Sequence, residues 1–414
     1  MPATLTLLRN AEIYDPVARG RHDVLVSTGS PAGSATGSPA GSSGGTVLAI
    51  ERSLDPSGIA ALVGSGICDV VDLGGARLIP GLIDSHVHLT GGGGESGPAS
   101  RVPSVALSEL TRGGVTSCVG VLGTDGTTRN VASLVAATLA LRAEGLSAWC
   151  WTGSYEVPPI TLTGSVRSDI VFVDPIIGVG EVAISDHRSS QPTFDELARL
   201  AADCHVAGMM SGKAGVLHLH LGDGARGLEL VRRVLAETEL PPSVLHPTHV
   251  NRNTRLLEEA LELAARGVTI DVTAFPVEDD EDAFSAPDAI RKYLKSGAPR
   301  DRITCSSDGG GCLPTYDTQQ RIIAMEVGRP SALAEALYAL LVFGLSLEEV
   351  LPVFTSNVAA ALRLPGKGRI AVGGDADLVV LDANHRIRDV MARGRFHVRG
   401  GEAVITGMFE AARK

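Results

Sequence analysis

Eight apolar runs, each followed by a loop, constrain this chain more than any other feature. They are Leu78–Ile83, Val115–Leu122, Ala148–Trp151, Ile176–Ile184, Val216–Leu221, Val244–His249, Val268–Val272 and Arg302–Ser306. Helical spacing of apolar residues fills Val131–Arg142, Phe194–Val206 and Arg255–Arg266 between them. The second of these opens on a capping box of Thr193 and Glu196. Strands alternating with helices imply parallel pairing with helical crossovers. Eight such units predict an α/β chain folded as a TIM-like (β/α)8 barrel, with its chemistry on the loops after the strands. The polar residues fall there. His86 and His88 follow the first run, Thr124 and Asp125 the second, and Tyr155 the third. Glu181, Asp186 and Arg188 lie in and after the fourth. His220 ends the fifth, His249, Asn251 and Arg252 belong to the sixth, and Asp308 follows the eighth. A barrel gathers all of them at one mouth.

The chain ends have a different rhythm. Short strands are expected at Leu5–Leu8, Asp23–Val26, Thr46–Glu51 and Cys68–Leu73, and again after the Gly-rich stretch that begins at Gly366. Similar composition at both ends predicts one small β-sandwich built from residues 1–77 and 366–414, beside a barrel domain at 78–365. Residues 28–45 are nearly all Gly, Ser, Ala, Thr and Pro, which predicts a flexible hairpin loop. A net charge of −11 without a basic run argues against nucleic acid and anionic membranes as partners. No charged-then-apolar opening segment and no run of 18 apolar residues occurs, so a cytoplasmic protein is expected. The six cysteines form no Cys-x-x-Cys pair and read as reduced thiols.

His86 and His88 sit two residues apart at the end of a strand, where side chains at i and i+2 share a face. With Glu181, His220, His249 and Asp308 they make four imidazoles and two carboxylates. That is more than one zinc needs and suits two divalent metals sharing a bridging carboxylate and hydroxide. Zinc is the default among the metals such ligands accept. Asp308 would bind one metal, take the proton of the bridging water and pass it to a leaving amine.

The His86-x-His88 strand, the single histidines after strands five and six, Asp308 and the tail Gly374-Asp-Ala-Asp-Leu-Val-Val380 together resemble the amidohydrolase superfamily. Finer motifs resemble its isoaspartyl (β-aspartyl) dipeptidase family of metallopeptidases. These are His88-Leu-Thr-Gly-Gly-Gly-Gly-Glu-Ser-Gly97, Leu122-Gly-Thr-Asp125, Thr152-Gly-Ser-Tyr155, Thr163-Gly-Ser-Val166, Ala183-Ile-Ser-Asp-His-Arg188, Pro247-Thr-His-Val-Asn-Arg-Asn253 and Ser306-Ser-Asp-Gly309. The resemblance covers nearly the whole chain outside 28–45. It implies hydrolysis of dipeptides in which aspartate is joined through its β-carboxyl, and so the clearing of isomerised aspartyl peptides. Glu95 resembles the residue that binds the substrate α-amine. Arg188 and Arg252 resemble carboxylate clamps, and Thr124 a further polar contact. Tyr155 resembles the phenol that polarises the scissile carbonyl. Cys312 stands where the family tends to place a carboxylate-binding serine, and a thiol is a weaker donor. Members often bridge the metals with a carboxylated lysine. Here Glu181 takes that position, with one extra residue in the strand, and Lys213 is not expected to replace it. A homo-oligomer is expected by analogy.

Two other functions fit less well. Another amidohydrolase, acting on a cyclic amide or an N-acyl amino acid, would not need Glu95 with Arg188 and Arg252. A non-catalytic amino-acid-binding homologue would not need all six ligand candidates. Of the remaining histidines, His218 is expected to be a hydrogen-bonded core residue, and His187, His205 and His246 to be structural. His22, His385 and His397 belong to the small domain. Gly91–Gly94 lacks a following Lys-Ser/Thr and is not a phosphate loop.

Overall fold

The structure is a computed structural model that describes residues 4–28, 44–278, 281–316 and 322–410. The loop expected at 28–45 lies, apart from its ends, outside the described residues. Eight parallel strands carry the site: β1 (Leu82–Val87), β2 (Val115–Gly120), β3 (Ser147–Thr152), β4 (Ile176–Ile184), β5 (Val216–Leu221), β6 (Leu245–Thr248), β7 (Ile270–Thr273) and β8 (Ile303–Ser306). Trp149 apart, every residue in them is buried, which is why they read as continuous apolar runs rather than alternating ones.

β1 to β6 form one parallel ladder in chain order, and β7 with β8 form a second. Each join links a residue just past one strand to a residue within the next. The Val250 N–H donates to the Asp271 carbonyl at 3.3 Å, and Val87 bridges to Gly309. Of the expected barrel the structure shows a curled parallel sheet of six strands and a separate parallel pair, the regular ladder stopping at both joins. The strands there are short, four residues in each of β6, β7 and β8. The expected helices occur as Val131–Ala143, Phe194–Ser211 and Thr254–Ala265, each started by a side-chain cap from Asn130, Thr193 and Asn253.

The first apolar run divides at Gly81. Arg77–Pro80 joins the sheet of the chain ends, and only Leu82–Val87 enters the parallel ladder. A Cβ at Gly81 would lie 2.1 Å from Thr116 Oγ1, so the crossing point between the two sheets admits only glycine. Among the described residues the sheet of the ends has nine strands, five from the N-terminal side and four from the C-terminal side. It forks at Leu5–Asp15, which pairs with Val17–Ser27, Cys68–Asp72 and Arg77–Pro80. Leu8, Ile13, Val24, Val26, Leu78, Leu378 and Val380 form its core. Lys367, its side chain 4% exposed, joins this sheet to the six-stranded parallel sheet. Its ammonium donates to Ser147 Oγ on β3 at 2.6 Å and pairs with Asp375 and Asp377.

Two elements were not expected. A helix at Pro56–Gly64 starts where Asp55 accepts from the N–H groups of Ser57 and Gly58, and a hairpin pairs Cys312–Tyr316 with Ile322–Val327. Among the described residues no helix is long and apolar enough to cross a membrane.

Candidate active site

β1 ends with His86 pointing to the sheet interior, and His88 follows one residue past the strand. Both are buried. Glu181 comes from β4 at an irregularity in its pairing with β5. Leu217 opposes Val179, but Leu219 opposes Val182, so three steps on β4 face two on β5. The extra residue expected from the sequence is thus a β-bulge, a device that re-aims side chains beside active sites. It turns the Glu181 carboxylate to the centre, and the two oxygens divide. Oε1 lies 3.4 Å from Nε2 of both His86 and His88. Oε2 lies 2.9 Å from His220 Nδ1 and 3.4 Å from His249 Nε2. Asp308 Oδ1 closes the first side, 3.4 Å from His86 Nε2 and 3.1 Å from His88 Nε2. His249 and Asp308 hold φ of 60° and 52°, a backbone region that non-glycine residues seldom adopt and that recurs at functional sites.

Among the described residues two groups therefore exist that could hold a metal ion, His86–His88–Glu181 and Glu181–His220–His249, sharing the glutamate. The electrostatics fit cations. Burial opposes charge on Glu181, yet the imidazoles of His86 and His220 hold its carboxyl well below the usual range. Asp308 is likewise held low against burial by His86 and His88. Burial opposes a proton on His86 too, but Glu181 and Asp308 pull it well above its ordinary range, so this spot draws positive charge. Burial holds His249 down at about 4, leaving the neutral imidazole that ligates metals. His86 Nε2 and Asp308 Oδ1 are buried without a hydrogen-bond partner, which ordinarily costs about 1–3 kcal/mol per atom. A cation between them removes that cost.

The cluster opens into a cavity of about 400 Å3. His88, Glu181, His220, His249 and Asp308 lie at its floor, and every residue singled out for the substrate lines it: Glu95, Thr124, Tyr155, Arg188, Arg252 and Cys312. Thr124 donates to Glu95 Oε1 at 3.0 Å, and Arg188 Nη1 approaches the same oxygen at 3.6 Å. Arg188 is also held by Asp186, through Nε at 3.1 Å and Nη2 at 2.8 Å, so the pairing weighed from the sequence coexists with its place in the cavity. Arg252 lies 3.8 Å from Asp223 and remains a quarter exposed. The Tyr155 hydroxyl lies 2.9 Å from His220 Nδ1, and burial pushes the phenol up so that it stays protonated. Burial pushes the Cys312 thiol up to about 12.

Some parts of the site had no sequence signal. Arg129, 6% exposed, donates to the carbonyls of Thr90, Gly92, Gly93 and Val102, stapling the glycine loop that carries Glu95. The loop needs its glycines: a Cβ at Gly91 would lie 1.9 Å from the Val102 carbonyl. Asp186, placed after the fourth run by the sequence, reaches His220 Nε2 at 3.1 Å. Phe275, Pro276 and Leu313 add apolar wall. His218 and His246 are fully buried and hydrogen-bonded, and His218 touches His86. Lys213 lies elsewhere, its ammonium capping the carbonyls of Ile170, Val173 and Ile176.

Residues 77–409 match the model of the amidohydrolase family. A solved β-aspartyl dipeptidase from the thermophilic, keratin-degrading Fervidobacterium islandicum AW-1, in complex with a β-Asp-Leu dipeptide, is 40% identical. The match covers 97% of this chain and 98% of that one, with a TM-score of 0.88. A second structure of the Fervidobacterium enzyme is 39% identical over 96% of this chain and 98% of that one, with a TM-score of 0.82. A dihydroorotase from Anaplasma phagocytophilum is 28% identical over 363 residues, 80% of this chain and 78% of the relative.

Proposed function

We propose, from the premise that the chain belongs to the amidohydrolase family, that it is a metal-dependent dipeptidase hydrolysing β-aspartyl (isoaspartyl) dipeptides. The observation that carries this reading is the pairing of a metal-type cluster with a doubly charged cavity. Glu181 divides its oxygens between two sets of histidines, and the cavity above presents one anion, Glu95, and two cations, Arg188 and Arg252. A β-aspartyl dipeptide has the matching pattern of one ammonium and two free carboxylates. The 40% identity to a dipeptidase solved with β-Asp-Leu supports the same substrate class.

Two divalent cations, zinc by default, held by His86, His88, Glu181, His220, His249 and Asp308, would supply Lewis acidity and a water made nucleophilic at neutral pH. The chain's own residues do the rest. Glu95 takes the α-amine, while Arg188 and Arg252 take the carboxylates through the guanidinium fork, with Thr124 and Cys312 as lesser contacts. Holding both ends of the dipeptide sets the amide carbonyl over the floor. The Tyr155 hydroxyl donates to the carbonyl oxygen as charge develops on it. Asp308 accepts the proton released by the attacking water and returns it to the nitrogen of the departing amino acid as the C–N bond breaks. In the same reading the two parallel ladders make one (β/α)8 barrel at 78–365, with a small domain from 1–77 and 366–414. The protein acts in the cytoplasm as a homo-oligomer, without nucleic-acid or membrane partners.

The test is elemental analysis of metal per chain, on wild type and Glu181→Ala, alongside hydrolysis of β-Asp-Leu, α-Asp-Leu and dihydroorotate. Near two metals in wild type, fewer in the variant, and cleavage of β-Asp-Leu alone is the expected result. Turnover of dihydroorotate instead would move the chain to the cyclic-amide activity of its dihydroorotase relative. One metal, unaffected by Glu181→Ala, would overturn the bridge.

A further inference from the structure

Beneath the metal-type cluster a line of side chains runs down the inside of the sheet. His86 Nδ1 lies 2.8 Å from His218 Nε2. His218 Nδ1 lies 2.9 Å from His246 Nδ1. His246 Nε2 lies 3.1 Å from Thr304 Oγ1, and Thr304 Oγ1 lies 2.6 Å from Asp271 Oδ1. All five residues are buried to within 1%. We propose that His218 and His246 are positioning residues. With Thr304 they carry a fixed hydrogen-bond direction from Asp271 to His86, so that His86 keeps its proton on Nδ1 and offers a bare Nε2 to a cation. The inference rests on the reading of His86 as a metal ligand.

The direction is set at the far end. Asp271 faces four hydroxyls: Thr304 at 2.6 Å and Ser85 at 3.4 Å on Oδ1, Thr248 at 2.7 Å and Ser306 at 2.5 Å on Oδ2. A carboxylate so surrounded is an acceptor only. Thr304 therefore donates towards Asp271. Its other nearby acceptor, the Ile270 carbonyl at 3.3 Å, would take the same proton and leave the outcome unchanged. With its proton spent, Thr304 can only accept from His246, which must carry its hydrogen on Nε2. A neutral imidazole has one N–H, so His246 Nδ1 is an acceptor and His218 Nδ1 must donate to it. His218 Nε2 is then an acceptor in turn, and His86 Nδ1 donates to it. Each link uses one donor and one acceptor, and none is left over. The reverse order would put a hydrogen on His86 Nε2, the atom that faces His88, Glu181 and Asp308, and would block ligation there.

Two further contacts keep the middle of the line rigid. The His218 ring stacks on Trp151 with centroids 5.0 Å apart and planes 13° apart. Gly180, next to the bridging glutamate, gives His218 its room, since a Cβ there would lie 2.7 Å from His218 Cβ. Partners of this kind fix ligand tautomers, and their loss typically costs about 10- to 100-fold in metal affinity.

The experiment reads tautomers and affinity rather than turnover. Proton–nitrogen NMR of 15N-histidine-labelled protein, metal-free and zinc-loaded, should find His218 protonated on Nδ1 and bare on Nε2, with His246 protonated on Nε2. Competition with a chelating dye should show His218→Leu binding zinc about 10- to 100-fold more weakly. His218→Gln, whose amide can accept from His86 and donate to His246, should restore most of the affinity. Thr304→Val should weaken it in the same direction, although its hydroxyl meets His246, Ile270 and Asp271 rather than any ligand. The opposite tautomers, or wild-type affinity in folded His218→Leu and Thr304→Val, would overturn the proposal. A wild-type protein that binds no divalent cation would instead remove the metal reading beneath it, and the metal-free spectra would still judge the direction of the chain.

Discussion

Asp308 and Tyr155 stand on opposite sides of Glu181, and their replacements should fail in different ways. Asp308→Asn keeps the shape but cannot accept and return a proton, so kcat for β-Asp-Leu should fall by about 10^2- to 10^4-fold. Its carboxylate also faces His86 and His88, so metal content should drop as well. Tyr155→Phe removes one donor to a developing negative charge. It should lower kcat by about 10^2-fold with KM and metal content nearly unchanged. Steady-state kinetics with metal analysis separate the two. If Tyr155→Phe instead changed only KM, its hydroxyl would be a binding contact. Cys312 offers a test in the favourable direction. Its thiol stays protonated and donates weakly, so Cys312→Ser should lower KM a few-fold through a stronger hydrogen bond.

The elements show which features a single sequence can carry. The eight runs were visible because these strands are buried on both faces. The bulge in β4 coincides with the one extra residue read in that strand around Gly180 and Glu181. The break at Gly81 shows in the sequence only as the Pro80-Gly81 pair, which is easily read through because the residues on both sides are apolar and buried. The ligand candidates showed themselves as strand-end histidines and carboxylates. Arg129 and His246 did not, because their partners are backbone carbonyls and residues far along the chain, which leave no local spacing. His397 makes a prediction at this scale. It lies in the strand Arg395–Arg399, fully buried, with both ring nitrogens unpartnered, and burial lowers it to about 4. Unfolded, it titrates near 6.5. Between those values the unfolded chain binds the proton and the folded chain does not, so stability falls as pH drops from about 6.5 to about 4. The loss is at most roughly 3 kcal/mol. Denaturant midpoints at pH 7 and pH 5 should differ less in His397→Leu than in wild type; equal differences would assign the pH dependence to other groups.

At the scale of the molecule, Lys367 couples the sheet of the ends to the six-stranded parallel sheet. Its ammonium is buried among Asp375, Asp377 and Ser147. Lys367→Met would leave Asp377 buried without its cation, and such a loss costs about 3–5 kcal/mol. The melting temperature should fall by several degrees while the metal content of the folded fraction is unchanged; an unchanged melting temperature would mean the sheet is held by its apolar core alone. The strand Arg77–Pro80 has a further consequence. One of its neighbours, Leu5–Asp15, precedes it closely in the chain, but the other, Leu378–Leu381, pairs Pro80 with Leu378 about 300 positions later. On a ribosome adding roughly 5–20 residues per second, that partner emerges on the order of 15–60 s after the strand it completes. Through that interval the nascent chain carries an open β-edge while the eight parallel strands, Leu82–Val87 to Ile303–Ser306, are still being added, so the last step of biosynthetic folding is the sealing of the first sheet to be made.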